Sequence, residues 1–237
     1  MDPNGKDHAP TKNRLAKASL VIFWSFLPPP AIWWGLHYLH SAPACYAIYH
    51  SLCLFLIVFG YSLWRPTVIR PTLKQVLIVT LAAIVCSIGA VCGYEVIGKH
   101  IVSSQKTFEA LALQGWRGSL FWPISIYVVI VNPIMEELAW RGVVLNELEN
   151  CFQNKYFGII WSSMMYGVLH YPVVRLVVGP GIGSACVFFL ILNGLFLSYI
   201  YRKTKSIIMP ILIHSMVNDI AAIALMLVIS SENVSPI

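Results

Sequence analysis

Apolar residues dominate seven stretches of the chain, at about 18–39, 44–64, 75–98, 119–149, 156–172, 181–201 and 207–229. At 1.5 Å of rise per residue such runs suit a hydrocarbon core of roughly 30 Å. The pattern predicts an all-α, polytopic transmembrane helical bundle of about seven spans. An eighth would be hidden in the first stretch or in residues 99–117. Pro28, Pro29 and Pro30 fall inside the first stretch, which predicts a kink or break there, because a proline removes a helical hydrogen bond. Residues 99–117 set Lys99, Lys106, Glu109 and Arg117 among Leu and Ala and read as an interfacial helix, or a loop, on one membrane face. The chain divides into 1–118, N-terminal helices plus this interfacial segment, and 119–229, a membrane core that carries the motifs below. Neither an internal repeat nor a low-complexity segment is visible.

Polar side chains interrupt the apolar runs of the second half in three short patterns. They are Glu136-Glu137-Leu138-Ala139-Trp140-Arg141, Tyr166-Gly167-Val168-Leu169-His170, and His214-Ser215-Met216-Val217-Asn218. A charge at the centre of a spanning helix costs roughly 2.5–3.5 kcal/mol on insertion scales, so carboxylates, a guanidinium and two imidazoles in such helices point to use. Each pattern also spaces polar groups at i,i+4, on one helical face. Depth decides whether they can meet. His170 lies roughly 22 Å along its helix from Lys155, and His214 roughly 13 Å from Lys205. Glu136 reaches a similar depth only if its helix continues past Arg141 toward Glu149, roughly 20 Å further on. Asn132-Pro133 upstream would either kink that helix or start a new one, and a new start would place Glu136 in a first turn, where the dipole favours a carboxylate.

Composition supports the membrane class. Of 237 residues, 58% are hydrophobic and 11% charged, against about 25% charged in soluble domains. The net charge of +6 does not point to nucleic acid, because the basic residues form short clusters between apolar runs and no stripe interleaved with aromatics. With the N-terminus cytoplasmic, the inner side collects Lys6, Lys12, Arg14, Lys17, Arg65, Arg70, Lys74, Arg141, Lys155, Arg202, Lys203 and Lys205. That is 12 of the 16 Lys and Arg, the bias expected of cytoplasmic loops. The basic N-terminal segment resembles a signal peptide, but no small-residue cleavage site follows the first apolar run, which reads as a retained first span. Six cysteines show no C-x-x-C spacing and read as small hydrophobes.

The chemistry available is that of water activation. A carboxylate beside an imidazole can take a proton from water, and burial makes the carboxylate a better base. An imidazole and a primary amide, His214 and Asn218, are suitable donors toward a developing oxyanion. Plainer roles exist for each pattern alone: Glu137–Arg141 as an internal ion pair, His170 before Tyr171-Pro172 as a residue at a helix end, His214 and Asn218 as interhelical hydrogen-bonders. All three together, in this order and spacing, favour a shared site. His37, His40, His50 and His100 lack such spacing and read as interfacial. Trp33, Trp34, Trp64, Trp116 and Trp122 read as an aromatic belt. Asp219 is expected to point away from Asn218, as a topology or packing residue.

Glu-Glu-x-x-x-Arg, aromatic-x-x-x-His and His-x-x-x-Asn, in that order in membrane helices, resemble the CAAX protease and bacteriocin-processing enzyme family, also called the Abi family. The resemblance covers about residues 119–229, with Asn193-Gly194-Leu195-Phe196-Leu197 and Met209-Pro210-Ile211-Leu212-Ile213-His214 agreeing; Tyr166 stands where Phe is usual. It implies an intramembrane glutamic-type endopeptidase without a cofactor, in which Glu136 with His170 activates water and His214 with Asn218 stabilises the oxyanion. Glu137, Arg141 and Tyr166 support them. An older interpretation makes such residues metal ligands, and two His and a Glu suit zinc with a site left for water, so a zinc-dependent prenyl-CAAX-type enzyme is the alternative; Asn218, a poor zinc ligand, favours the metal-free one. Family members act on prenylated CAAX proteins, bacteriocins, and membrane-anchored or C-terminally tagged proteins. The implied partners are thus a membrane-associated protein or peptide substrate and the lipid bilayer, with no nucleic acid. A non-catalytic immunity or scaffold protein of the same fold is another alternative, though every catalytic group is retained here. A proton or cation relay is the third, and the missing internal symmetry weighs against it. Small size and basic inner loops suggest a prokaryotic plasma membrane.

Overall fold

The computed structural model describes residues 12–61 and 67–233. Lys6, Trp64 and Arg65, read above as topology and interface residues, lie outside them. All the regular structure among the described residues is helical: α1 (Lys12–Ser25), α2 (28–38), α3 (Ala42–Tyr61), α4 (Leu73–Ile101), α5 (Ser104–Leu113), α6 (Gly118–Phe152), α7 (Lys155–Leu169), α8 (Tyr171–Val178), α9 (Pro180–Thr204) and α10 (Ile208–Asn233). The triple proline breaks the first stretch as expected: α1 ends at Ser25, and Pro28 opens α2, where a missing N–H costs nothing.

Six segments are long and apolar enough to cross a membrane: 14–38, which joins α1 and α2, then α3, α4, α6, α9 and α10. The stretch read as the fifth span, 156–172, is not among them. Its helix α7 stops after 15 residues at Leu169, and Pro172 in the first turn of α8 forbids a straight continuation. Together α7 and α8 run antiparallel to α9. Gly194 lies against Ser163, Gly167 against Ile191, and Gly183 against Arg175. A Cβ at Gly194 would sit 3.0 Å from the Ser163 Cα, and one at Gly167 2.9 Å from the Ile191 nitrogen. These glycines allow the close helix approach on which packing in lipid depends.

The helix that carries Glu136 does continue past Arg141, with Pro133 accommodated inside it. It does so by widening: Leu138–Leu145 is π-helical, and so is His214–Asp219 in α10. A π turn shifts the ladder to i→i+5. In α6 the Asn146 amide braces the widened turn, donating to the Arg141 and Gly142 carbonyls at 2.8 Å each, and it contacts the Tyr201 hydroxyl of α9 at 2.9 Å. Asn146→Leu should therefore remove these side-chain hydrogen bonds and lower stability by about 2 kcal/mol. A thermal unfolding series in detergent checks this, and an unchanged midpoint would show that the widened turn holds itself.

The bundle interior centres on Trp24, Tyr49, Trp140 and Tyr166, buried between α1, α3, α6 and α7. Trp24 and Trp140 pack with ring centroids 5.4 Å apart, and the Trp140 Nε1–H donates to the Tyr49 hydroxyl at 3.2 Å. The outer faces of α4 and α9 expose Leu77, Leu81, Val85, Phe188, Phe189 and Phe196, as lipid-facing surfaces do. Within 99–117, Lys99–Ile101 end α4 and Ser103 N-caps α5, and the second half of the segment packs into the bundle. Leu111, Gln114 and Trp116 are buried. The Thr107 hydroxyl donates to the Val177 carbonyl of α8 at 2.8 Å, and the Gln114 side-chain amide to the Leu36 carbonyl of α2 at 2.9 Å. The segment caps one end of the bundle.

Candidate active site

Between α2, α3, α6, α7, α8 and α10 lies a cavity of about 250 Å³. Helix α6 sends Val128, Asn132 and Glu136 into it, at the four-residue spacing that keeps side chains on one face. The adjacent Glu137 does not line the cavity. It is fully buried, and its Oε1 accepts from Arg141 Nη1 at 2.8 Å and from His214 Nδ1–H at 2.9 Å. Arg141 also donates to the Gly194 carbonyl at 3.2 Å and lies 4.4 Å from the Tyr166 ring centroid. The two neighbouring glutamates thus occupy different environments: one faces open space, the other is locked into an ion network.

Helices α7 and α10 bring the two imidazoles to Glu136. His170, at the break between α7 and α8, donates Nδ1–H to the Tyr166 carbonyl at 2.7 Å, which leaves Nε2 directed at Glu136 Oε2, 4.0 Å away. His214 Nε2 lies 3.8 Å from the same oxygen and 3.4 Å from the Tyr166 hydroxyl. These carboxylate–imidazole separations exceed a direct hydrogen bond and suit an intervening water. Glu136 Oε2 and Asn218 Nδ2 are both buried without a hydrogen-bond partner, and both residues line the cavity. All four residues expected to act, Glu136, His170, His214 and Asn218, are therefore brought to one chamber, with Tyr166 on its wall and Glu137 and Arg141 packed behind them.

Three expectations need correction. Asp219 does not point away: it lines the cavity, and its Oδ1 lies 3.7 Å from His214 Nε2. In an α-helix a residue five positions on faces elsewhere, but His214–Asp219 is one π turn, which stacks i over i+5. His50 is not interfacial. It is buried, accepts from the Tyr127 hydroxyl on Nδ1 at 2.6 Å and donates Nε2–H to Asn132 Oδ1 at 3.1 Å, so it orients a cavity residue one turn before Glu136. Trp116 is no belt residue but a buried part of the cavity wall. Trp33, Trp34 and Trp122, by contrast, are exposed, as are His40 and His100. His37 is half-buried and reaches the Pro172 carbonyl at 3.1 Å. Asn132 was within reach of the sequence, since it stands at i−4 from Glu136 on the same face.

Among the described residues no group of three His, Cys, Asp or Glu side chains is arranged to hold a metal ion. Cys45, Cys53 and Cys151 are buried free thiols.

Residues 118–220 match the family described as "Type II CAAX prenyl endopeptidase Rce1-like". That stretch holds all three motifs, and the resemblance read from them is shown for this part of the chain. Among curated proteins the chain is 29% identical over 102 residues to "Putative membrane peptidase YdiL" of Bacillus subtilis (strain 168), a match covering 43% of this chain and 37% of that relative. The match therefore spans little more than a third of the relative's length. No solved structure matches the chain. The family match and the six apolar helices make it a multi-pass integral membrane protein.

Proposed function

We propose, from the family match over residues 118–220, that the chain is an intramembrane endopeptidase acting on a membrane-associated or C-terminally tagged protein. The observation that carries this reading is Glu136 Oε2: buried, without a partner, on the cavity wall, and 4.0 and 3.8 Å from two imidazole nitrogens. A water seated between Glu136 Oε2 and His170 Nε2 gives one proton to the carboxylate and shares the other with the imidazole. The resulting hydroxide attacks the scissile carbonyl. The developing oxyanion accepts from Asn218 Nδ2–H and from His214 Nε2–H. Because His214 already donates Nδ1–H to Glu137, only the doubly protonated ring offers that second donor; Glu136 and Asp219 are the carboxylates that face its Nε2. Glu136 then passes its proton to the leaving amine, which closes the cycle. The bias of Lys and Arg toward one side supports, as part of the same proposal, a cytoplasmic N-terminus in a prokaryotic plasma membrane, with substrate entering within or beside the bilayer.

The test is cleavage of a panel of membrane-anchored, quenched fluorogenic peptides by purified protein, with and without chelator, compared with Glu136→Ala and His214→Ala. Cleavage that survives chelation and disappears in both variants is the expected result. Loss on chelation with recovery on added zinc would replace the glutamate–water mechanism by a zinc one. A wild type that binds peptides and cuts none would return the chain to the non-catalytic members of the fold.

A further inference from the structure

The cavity is polar only in part. Glu136, His170, His214, Asn218 and Asp219 line one region, while Leu111, Trp116, Val128, Ile223 and Met226 belong to an apolar cluster on its wall. From Glu136 to Val128 is two turns of α6, about 12 Å. Into this apolar region projects Gln114, 2% exposed. One hydrogen bond orients its side-chain amide and another holds its backbone. Nε2–H donates to the Leu36 carbonyl at 2.9 Å, and the backbone carbonyl of Gln114 accepts from the Ala42 N–H at 2.9 Å. The side-chain Oε1 is consequently turned away from Leu36, and it is buried with no hydrogen-bond partner. A buried acceptor left unpaired is destabilising, while a Leu or Met at this position would fill the wall without that penalty.

We infer that Gln114 is a substrate-positioning residue whose Oε1 accepts a backbone N–H of the bound peptide, at a subsite distinct from the groups that act on the scissile bond. An extended chain advances about 3.3–3.6 Å per residue, so an amide that meets the apolar wall lies some residues away from that bond. The 104–117 segment then acts as a specificity cap: it carries the acceptor, and Leu111 and Trp116 beside it take the apolar side chain of the same substrate residue. This inference rests on the peptidase reading only for the identity of the ligand as a peptide.

An amide-to-ester scan separates the two. Each backbone N–H of a binding peptide is replaced in turn by an ester oxygen, which removes the donor without adding bulk. Affinities are measured on the full-length Glu136→Gln protein in nanodiscs, with and without Gln114→Met. One position should lose about five- to tenfold in affinity, the size of a single hydrogen bond, and that loss should vanish when Gln114→Met is present. Equal ester penalties with and without Gln114→Met overturn the inference, as does the absence of binding by every peptide. If Gln114→Met does not fold, the scan on the Gln114-containing protein still decides: no position that costs more than twofold overturns the assignment. Failure of the peptidase reading looks different, since the peptides would bind with the predicted ester signature and remain uncut by the wild type.

Discussion

Glu136→Gln should abolish peptide cleavage, by at least a thousandfold, and leave the unfolding midpoint within a degree or two of wild type. The neighbouring change Glu137→Gln should do the opposite in kind: a clear loss of stability, with an activity defect that follows from misplaced partners. The two residues are adjacent and equally buried, so the difference comes from what each oxygen touches. Glu136 Oε2 has no hydrogen-bond partner and faces the cavity; an amide there fills the same volume and breaks no contact. What it removes is the base, and loss of a positioned general base costs about 10²–10⁴ in rate, to which the loss of the negative charge facing His170 and His214 adds. Glu137 Oε1 accepts from both Arg141 and His214. An amide oxygen can still accept, but the counter-charge to a fully buried guanidinium is gone. Cleavage of the peptide panel and thermal unfolding, measured on the same preparations, separate these outcomes. A Glu136→Gln protein that cuts at a tenth of the wild-type rate would remove Glu136 from the role of base.

How far the sequence reaches can be judged from particular residues. The helical bundle, the broken first span and the meeting of Glu136, His170, His214 and Asn218 were legible, because polar groups in apolar helices are too costly to be idle and i,i+4 spacing fixes their face. Asp219 was not, because the reading assumed 3.6 residues per turn where His214–Asp219 takes a π turn. His50 and Trp116 were misplaced for another reason. In lipid the outside of a helix is as apolar as its packed side, so hydropathy does not distinguish the buried His50 of α3 from the exposed Leu54 and Phe55 of the same helix. The helix end at His170 was present in Tyr171-Pro172, yet the apolar run 156–172 reads as a complete span, where the helix stops at Leu169. The capping role of residues 104–117 depends on contacts from Thr107 to Val177 and from Gln114 to Leu36, partners far apart in the chain that no local pattern announces.

Arg141→Met should be the most destabilising single change in the site, by about 3–5 kcal/mol, because removing one member of a buried pair leaves the other charge uncompensated. For a chain of this length that is a fall in unfolding midpoint on the order of 10 °C. The guanidinium joins three helices: it pairs with Glu137 on α6, donates to the Gly194 carbonyl of α9 and stacks on Tyr166 of α7. Arg141→Lys keeps the charge but loses the planar fork that serves Glu137 and Gly194 together, so it should recover only part of the loss. The informative variant is the double change Glu137→Gln with Arg141→Met. It removes both charges while retaining an amide oxygen for His214 Nδ1–H, and it should be more stable than Arg141→Met alone. Such recovery would show that most of the single-variant cost is the stranded carboxylate. A double variant as unstable as the sum of the singles would instead assign the cost to the contacts with Gly194 and Tyr166. Activity adds a second readout. Glu137 holds the His214 ring in place, so the restored fold of the double variant should carry a peptidase whose defect lies in kcat and not in KM, since the groups that would bind the peptide remain where they were.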